Sequence, residues 1–122
     1  MPRLPFLFLF LLLIGMLPAC EVVGPGEGEV FAQSSGETLF VTNRTSARVY
    51  YFIVGRDTAT LIFWVPHLSL EDSVDRGRTA RIGSDDIYRD ETEREVIVFW
   101  WHAEGHGADR KPSGIRSFVV AL

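Results

Sequence analysis

Two stretches decide the fold: Val49-Tyr50-Tyr51-Phe52-Ile53-Val54 and Val96-Ile97-Val98-Phe99-Trp100-Trp101. Both are runs of β-branched and aromatic residues, short for a helix and apolar at every position instead of at alternate ones. Side chains along a strand point alternately to its two faces, so each run has two apolar faces and belongs centrally in a sheet, covered on both sides.

Outward from these runs, short β-rich segments recur roughly every ten positions between turn residues, the spacing of an antiparallel sandwich or barrel. They are Thr38 to Thr42, Arg48 to Val54, Thr60 to Val65, Arg78 to Ile82, Glu95 to Trp101 and Ile115 to Leu122. The turn cluster Asn43-Arg44-Thr45-Ser46 predicts a hairpin between the first two, and Pro66 ends the third because proline cannot donate to a ladder. Ser84 ahead of Asp85 and Asp86 reads as an N-cap for about one helical turn. The expectation is an all-β chain: a single antiparallel β-sandwich of about six or seven strands, immunoglobulin-like or transthyretin-like in general form, spanning residues 37–122.

The chain has 122 residues, 47% of them apolar, a net charge of −4 and a single cysteine. Fourteen of the first nineteen residues are apolar, and without them the apolar share falls to roughly 42%, that of an ordinary soluble domain. With Arg3 set aside, eleven basic residues face sixteen acidic ones, a balance that disfavours nucleic acid and anionic lipid surfaces. One cysteine excludes a disulfide framework.

Met1 to Cys20 has one charge at Arg3, an apolar run from Leu4 to Ile14 broken by Pro5, and the ending Leu17-Pro18-Ala19-Cys20. A spanning helix needs about 20 apolar residues, so the run fits the core of an export signal better. The ending resembles the lipobox of bacterial lipoproteins, with Leu17, Ala19 and Cys20 on the motif and Pro18 where a small or β-branched residue is usual. The resemblance implies a signal peptide over residues 1–19, a diacylglyceryl thioether and N-acylation at Cys20, and a membrane anchor made by the lipid. Glu21 after the cysteine implies, in a two-membrane bacterium, passage to the outer membrane, facing the periplasm. Residues 20–36 read as a lipidated tether, rich in Gly and Glu, with a weakly signalled strand at Glu29 to Ala32.

Chemistry is sparsely signalled. His102 and His106 stand four apart with Glu104 between, and with His67 they form a weak metal candidate set, although Gly105 and Gly107 favour a solvated turn. Asp85, Asp86, Asp90, Glu91, Glu93 and Glu95 invite a calcium reading, but they lack a calcium loop's glycine turn and alternate ligands. No nucleophile elbow, phosphate loop or cofactor motif is present, so the expectation is a chain that is not an enzyme and takes no cofactor. Consecutive Trp100 and Trp101 must face opposite sides of their strand, which with Trp64 marks a candidate ligand face unless the tether or the loop from Ala103 to Gly114 covers it. The expected function is that of a lipid-anchored envelope lipoprotein acting as a non-catalytic interaction or structural module toward another envelope protein. The alternative is a domain binding a small ligand, a metal or a carbohydrate.

Overall fold

The computed structural model describes residues 29–122. The expected signal peptide, Cys20 and the expected tether as far as residue 28 lie outside the described residues. Two antiparallel sheets pack face to face, the all-β sandwich that the apolar runs imply. One sheet joins β1 (Val30–Ser35), β2 (Thr38–Asn43) and β5 (Thr79–Gly83) in the order β1-β2-β5. The other has the order β4-β3-β6-β9, from β4 (Ser73–Val74), β3 (Val49–Gly55), β6 (Glu95–Trp101) and β9 (Arg116–Ala121). A small separate ribbon pairs β7 (Ala103–Glu104) with β8 (Lys111–Pro112).

The two doubly apolar runs are β3 and β6, paired in the middle of the four-stranded sheet with Tyr51 opposite Trp100 and Phe52 opposite Phe99. Val49 and Ile53 of β3 and Val96, Val98 and Trp100 of β6 face the other sheet. There they meet Leu39 and Val41 of β2, Val30 of β1 and Ile82 of β5, all buried. Strand β2 alternates as a sheet with one solvated face should: Leu39, Val41 and Asn43 buried, Thr38, Phe40 and Thr42 half-exposed. On that solvated face Thr42 and Thr79 share a 2.9 Å hydroxyl contact across β2 and β5, and the Arg81 guanidinium lies over the Phe40 ring.

Four expectations are corrected. The sandwich takes in residues ahead of the expected boundary at residue 37, because β1 lies within the expected tether and pairs along its full length with β2. A two-residue turn at Gly36, in the left-handed region at φ 60°, makes that hairpin. β2 and β3 do not form a hairpin. The 43–48 segment carries the chain from one sheet to the other, and β2 pairs instead with β1 and β5. Asn43 fixes this corner: its Nδ2 donates to the Ala47 and Val74 carbonyls, each at 2.9 Å, and its Oδ1 accepts from the Thr45 amide at 2.8 Å. The run Thr60 to Val65 is not a strand and pairs in neither sheet. Finally, Ser84–Asp86 is a single 3₁₀ turn whose N-cap is Gly83, and no side chain caps it.

Candidate functional site

The outer face of the four-stranded sheet carries Tyr50, Phe52 and Val54 from β3, opposite Trp101, Phe99 and Ile97 from β6. An apolar face of this size cannot be left in water, and the segment from Thr58 to Asp72 crosses it as a strap. Its start is a 3₁₀ turn, Thr58–Thr60, pinned by Glu93, whose Oε1 accepts from the Thr58 amide at 2.8 Å and the Thr58 hydroxyl at 2.7 Å. The Glu93 carboxyl packs against Gly55, where a Cβ would fall on it and within 2.9 Å of the Arg89 Cβ. Glycine at that position is what admits the pin. A second 3₁₀ turn, Leu70–Asp72, ends the strap and leads into β4.

Between the turns the chain alternates as a strand would: Ile62, Trp64, Pro66 and Leu68 are half-buried, and Leu61, Phe63, Val65 and His67 are exposed. The period-two signal at Thr60 to Val65 was thus legible, but the segment lies over a sheet and does not pair within one. Trp64 is its anchor. The indole lies 4.8 Å from the Phe52 ring and 4.7 Å from Phe99 by centroids, and stacks on Trp101 at 5.8 Å. The Trp101 Nε1–H donates to the His67 carbonyl at 2.8 Å, tying sheet to strap.

Neither member of the Trp100-Trp101 pair is therefore a free platform; they are 5% and 3% exposed. Trp100 enters the core between the sheets, and Trp101 is covered by the strap. The loop from Ala103 to Gly114 contributes at one point, where Arg110 Nη2 donates to the Tyr50 hydroxyl at 3.0 Å. What faces solvent is the other side of the strap: Phe63 at 97% exposed, Leu61 at 84%, Leu70 at 71% and Val65 at 51%. Beside it opens a cleft of 510 Å³ floored by Phe52, Trp64 and Trp101 and bounded by Phe63, Val65, His67 and Asp72. Sequence reasoning found Trp64 and missed Phe63, because only the absence of pairing turns an alternating strand into a strap with apolar residues outward.

The histidines do not converge. His67 lies on the strap, His106 in the loop before a 3₁₀ turn at Gly107–Asp109, and His102 between β6 and β7. Among the described residues no group of three or more His, Cys, Asp or Glu side chains is placed to hold a metal. His102 has a structural partner instead. Thr45 Oγ1 carries one proton and lies 2.6 Å from Asn43 Oδ1 and 2.7 Å from the Ala47 carbonyl oxygen, both acceptors, which assigns His102 Nε2, 2.9 Å away, as a donor to Thr45 Oγ1. Burial, then the nearby Arg116 guanidinium, pushes the imidazole below its ordinary pKa.

The acidic segment is likewise divided among separate partners. Asp90 accepts from the Thr92 amide and hydroxyl, both at 3.0 Å, which hold its carboxyl below the usual range. Glu93 pins the strap, and Glu95 pairs with Arg56 at 3.2 Å on the surface. A calcium loop would turn these oxygens toward one point.

No protein-family model, curated protein or solved structure matches the chain. Its function has to be read from the strap face and the sequence.

Proposed function

We propose that this chain is a bacterial envelope lipoprotein, anchored by lipid at Cys20, whose β-sandwich is a non-catalytic module that docks another envelope protein on the strap. The observation that carries the docking reading is the row Leu61, Phe63, Val65 and Leu70, exposed together on one segment beside an aromatic-floored cleft. Monomeric domains scatter single apolar residues over their surfaces and seldom gather several in one place. Covered by a partner, each such side chain contributes roughly 1.5–3 kcal/mol before association costs are met. Aromatic residues that fill a partner's pocket carry a disproportionate share of binding energy, which singles out Phe63. Support for the anchor is the lipobox-like Leu17-Pro18-Ala19-Cys20, and Glu21 after the cysteine supports, in a two-membrane bacterium, passage to the outer membrane, as the resemblance implies.

The test is affinity capture from detergent-solubilised envelope with the intact lipidated chain, as wild type, Phe63→Ser and Val119→Ser. Val119 is 47% exposed on β9, beside Ile97 on the outer sheet face, and belongs neither to the strap nor to the cleft beside it. A protein retained by wild type and Val119→Ser and lost with Phe63→Ser is the expected result; equal capture by all three removes the docking reading. Release of Cys20→Ser from the membrane fraction checks the anchor.

A further inference from the structure

The edge of β3 away from β6 is only partly covered: β4 pairs with Val49 and Tyr50, and the next contact is the bridge from Val54 to Tyr88, where the Gly55 amide donates to the Tyr88 carbonyl at 2.8 Å. Over Tyr51, Phe52 and Ile53 that edge has no strand beside it. A notch of 410 Å³ opens there, lined by Glu71, Asp72, Asp86 and Tyr88, and it shares Tyr51, Phe52 and Asp72 with the cleft beside the strap. Glu71, Asp72 and Asp86 form no ion pair among the described residues. The one cation on the notch, Arg81, lies over the Phe40 ring, 5.7 Å from its centroid.

We infer that notch and cleft together receive an extended segment of a partner protein in which a lysine or arginine stands next to an apolar residue. This rests on the docking reading of the strap and names the chemistry of what docks. The apolar side chain lies in the cleft over Phe52, Trp64 and Trp101, and the cation sits among Glu71, Asp72 and Asp86. The open edge at Tyr51 to Ile53 supplies main-chain partners to a strand-like segment, the mode in which backbone pairing gives affinity and alternate side chains give specificity. Charge complementarity selects the sign of the partner. The field is already felt at Tyr51, whose phenol is held above its ordinary pKa by burial and then by Asp72 and Asp86.

The experiment titrates the full chain, reconstituted in zwitterionic nanodiscs, with a short alternating Lys-Val peptide and with a Glu-Val peptide of equal length, against empty nanodiscs. The Lys-Val peptide should bind roughly tenfold more tightly, and added salt should weaken it. Asp72→Asn with Asp86→Asn should erase the preference, and Phe63→Ser should weaken binding of the Lys-Val peptide. If both peptides bind equally and Phe63→Ser weakens both, the charge inference falls while the docking reading stands. If neither binds, the inference falls, and envelope capture with Phe63→Ser judges the docking reading separately. Binding of the chain to bare lipid vesicles that is lost in Phe63→Ser would assign the face to membrane and overturn the inference.

Discussion

Asn43 shows how one buried polar residue can set a chain's course. Its amide is fully inaccessible and uses all its capacity, two donors to the Ala47 and Val74 carbonyls and two acceptor sites to Thr45. Its backbone amide also donates to the Arg78 carbonyl and its carbonyl accepts from Gly77, so the same residue holds the loop before β5. Asn43-Arg44-Thr45 has the spacing of an N-glycan acceptor, but the side-chain amide is closed to any modifying enzyme. In the sequence the cluster is legible as a turn and not as a crossover, because a turn residue's partners 31 positions away, such as Val74, leave no local trace. Asn43→Ala strands the Thr45 amide and removes one partner from each of two carbonyls. We expect a loss of about 2–4 kcal/mol, read as a lower urea midpoint with unchanged slope. Asn43→Asp should be no better, since a carboxylate there would face two carbonyl oxygens.

At the scale of elements, β3 and β6 were legible to within a residue because residues apolar on both faces admit few other placements. The strap was half legible: its alternation is real, but alternation records which side chains are covered and is silent about whether the backbone is paired. Trp64 is the element's main attachment, and Trp100 belongs to the core, so the two should fail differently. Trp64→Ala should lower stability by about 2–3 kcal/mol and free Trp101 to acrylamide quenching, while thermal unfolding stays a single transition. Trp100→Ala should cost more, about 3–5 kcal/mol, with loss of the near-ultraviolet circular dichroism of the folded domain. If Trp101 stays protected in Trp64→Ala, the strap is held by its Glu93 pin and not by the aromatic pile.

Over the whole molecule, the two sheets are fastened along one side by β1 and β9, where Ser34 Oγ donates to the Ala121 carbonyl at 2.9 Å, and at one end by the Asn43 corner. Which strands share a sheet was the least legible feature, since the sandwich pattern of short strands is the same whichever way a chain crosses between layers. His102 joins the Asn43 corner to the four-stranded sheet through Thr45, and its ring meets Trp100 edge-on at 5.6 Å. Its charge state therefore bears on global stability. In the unfolded chain this imidazole titrates near 6.5, and in the fold, lower. Above about 6.5 both states hold it neutral and it adds no pH dependence. As pH falls below that value the unfolded state takes the proton first, so the native state loses stability until the lowered folded pKa is passed, beneath which the penalty is constant. His102→Gln keeps an N–H for Thr45 Oγ1 and cannot titrate. Between about pH 7 and pH 5 the wild type should lose more of its urea midpoint than His102→Gln, the carboxylates common to both cancelling in the comparison. Equal losses would mean that the imidazole protonates in the folded corner as freely as in water, and that burial and Arg116 exert no net effect on it.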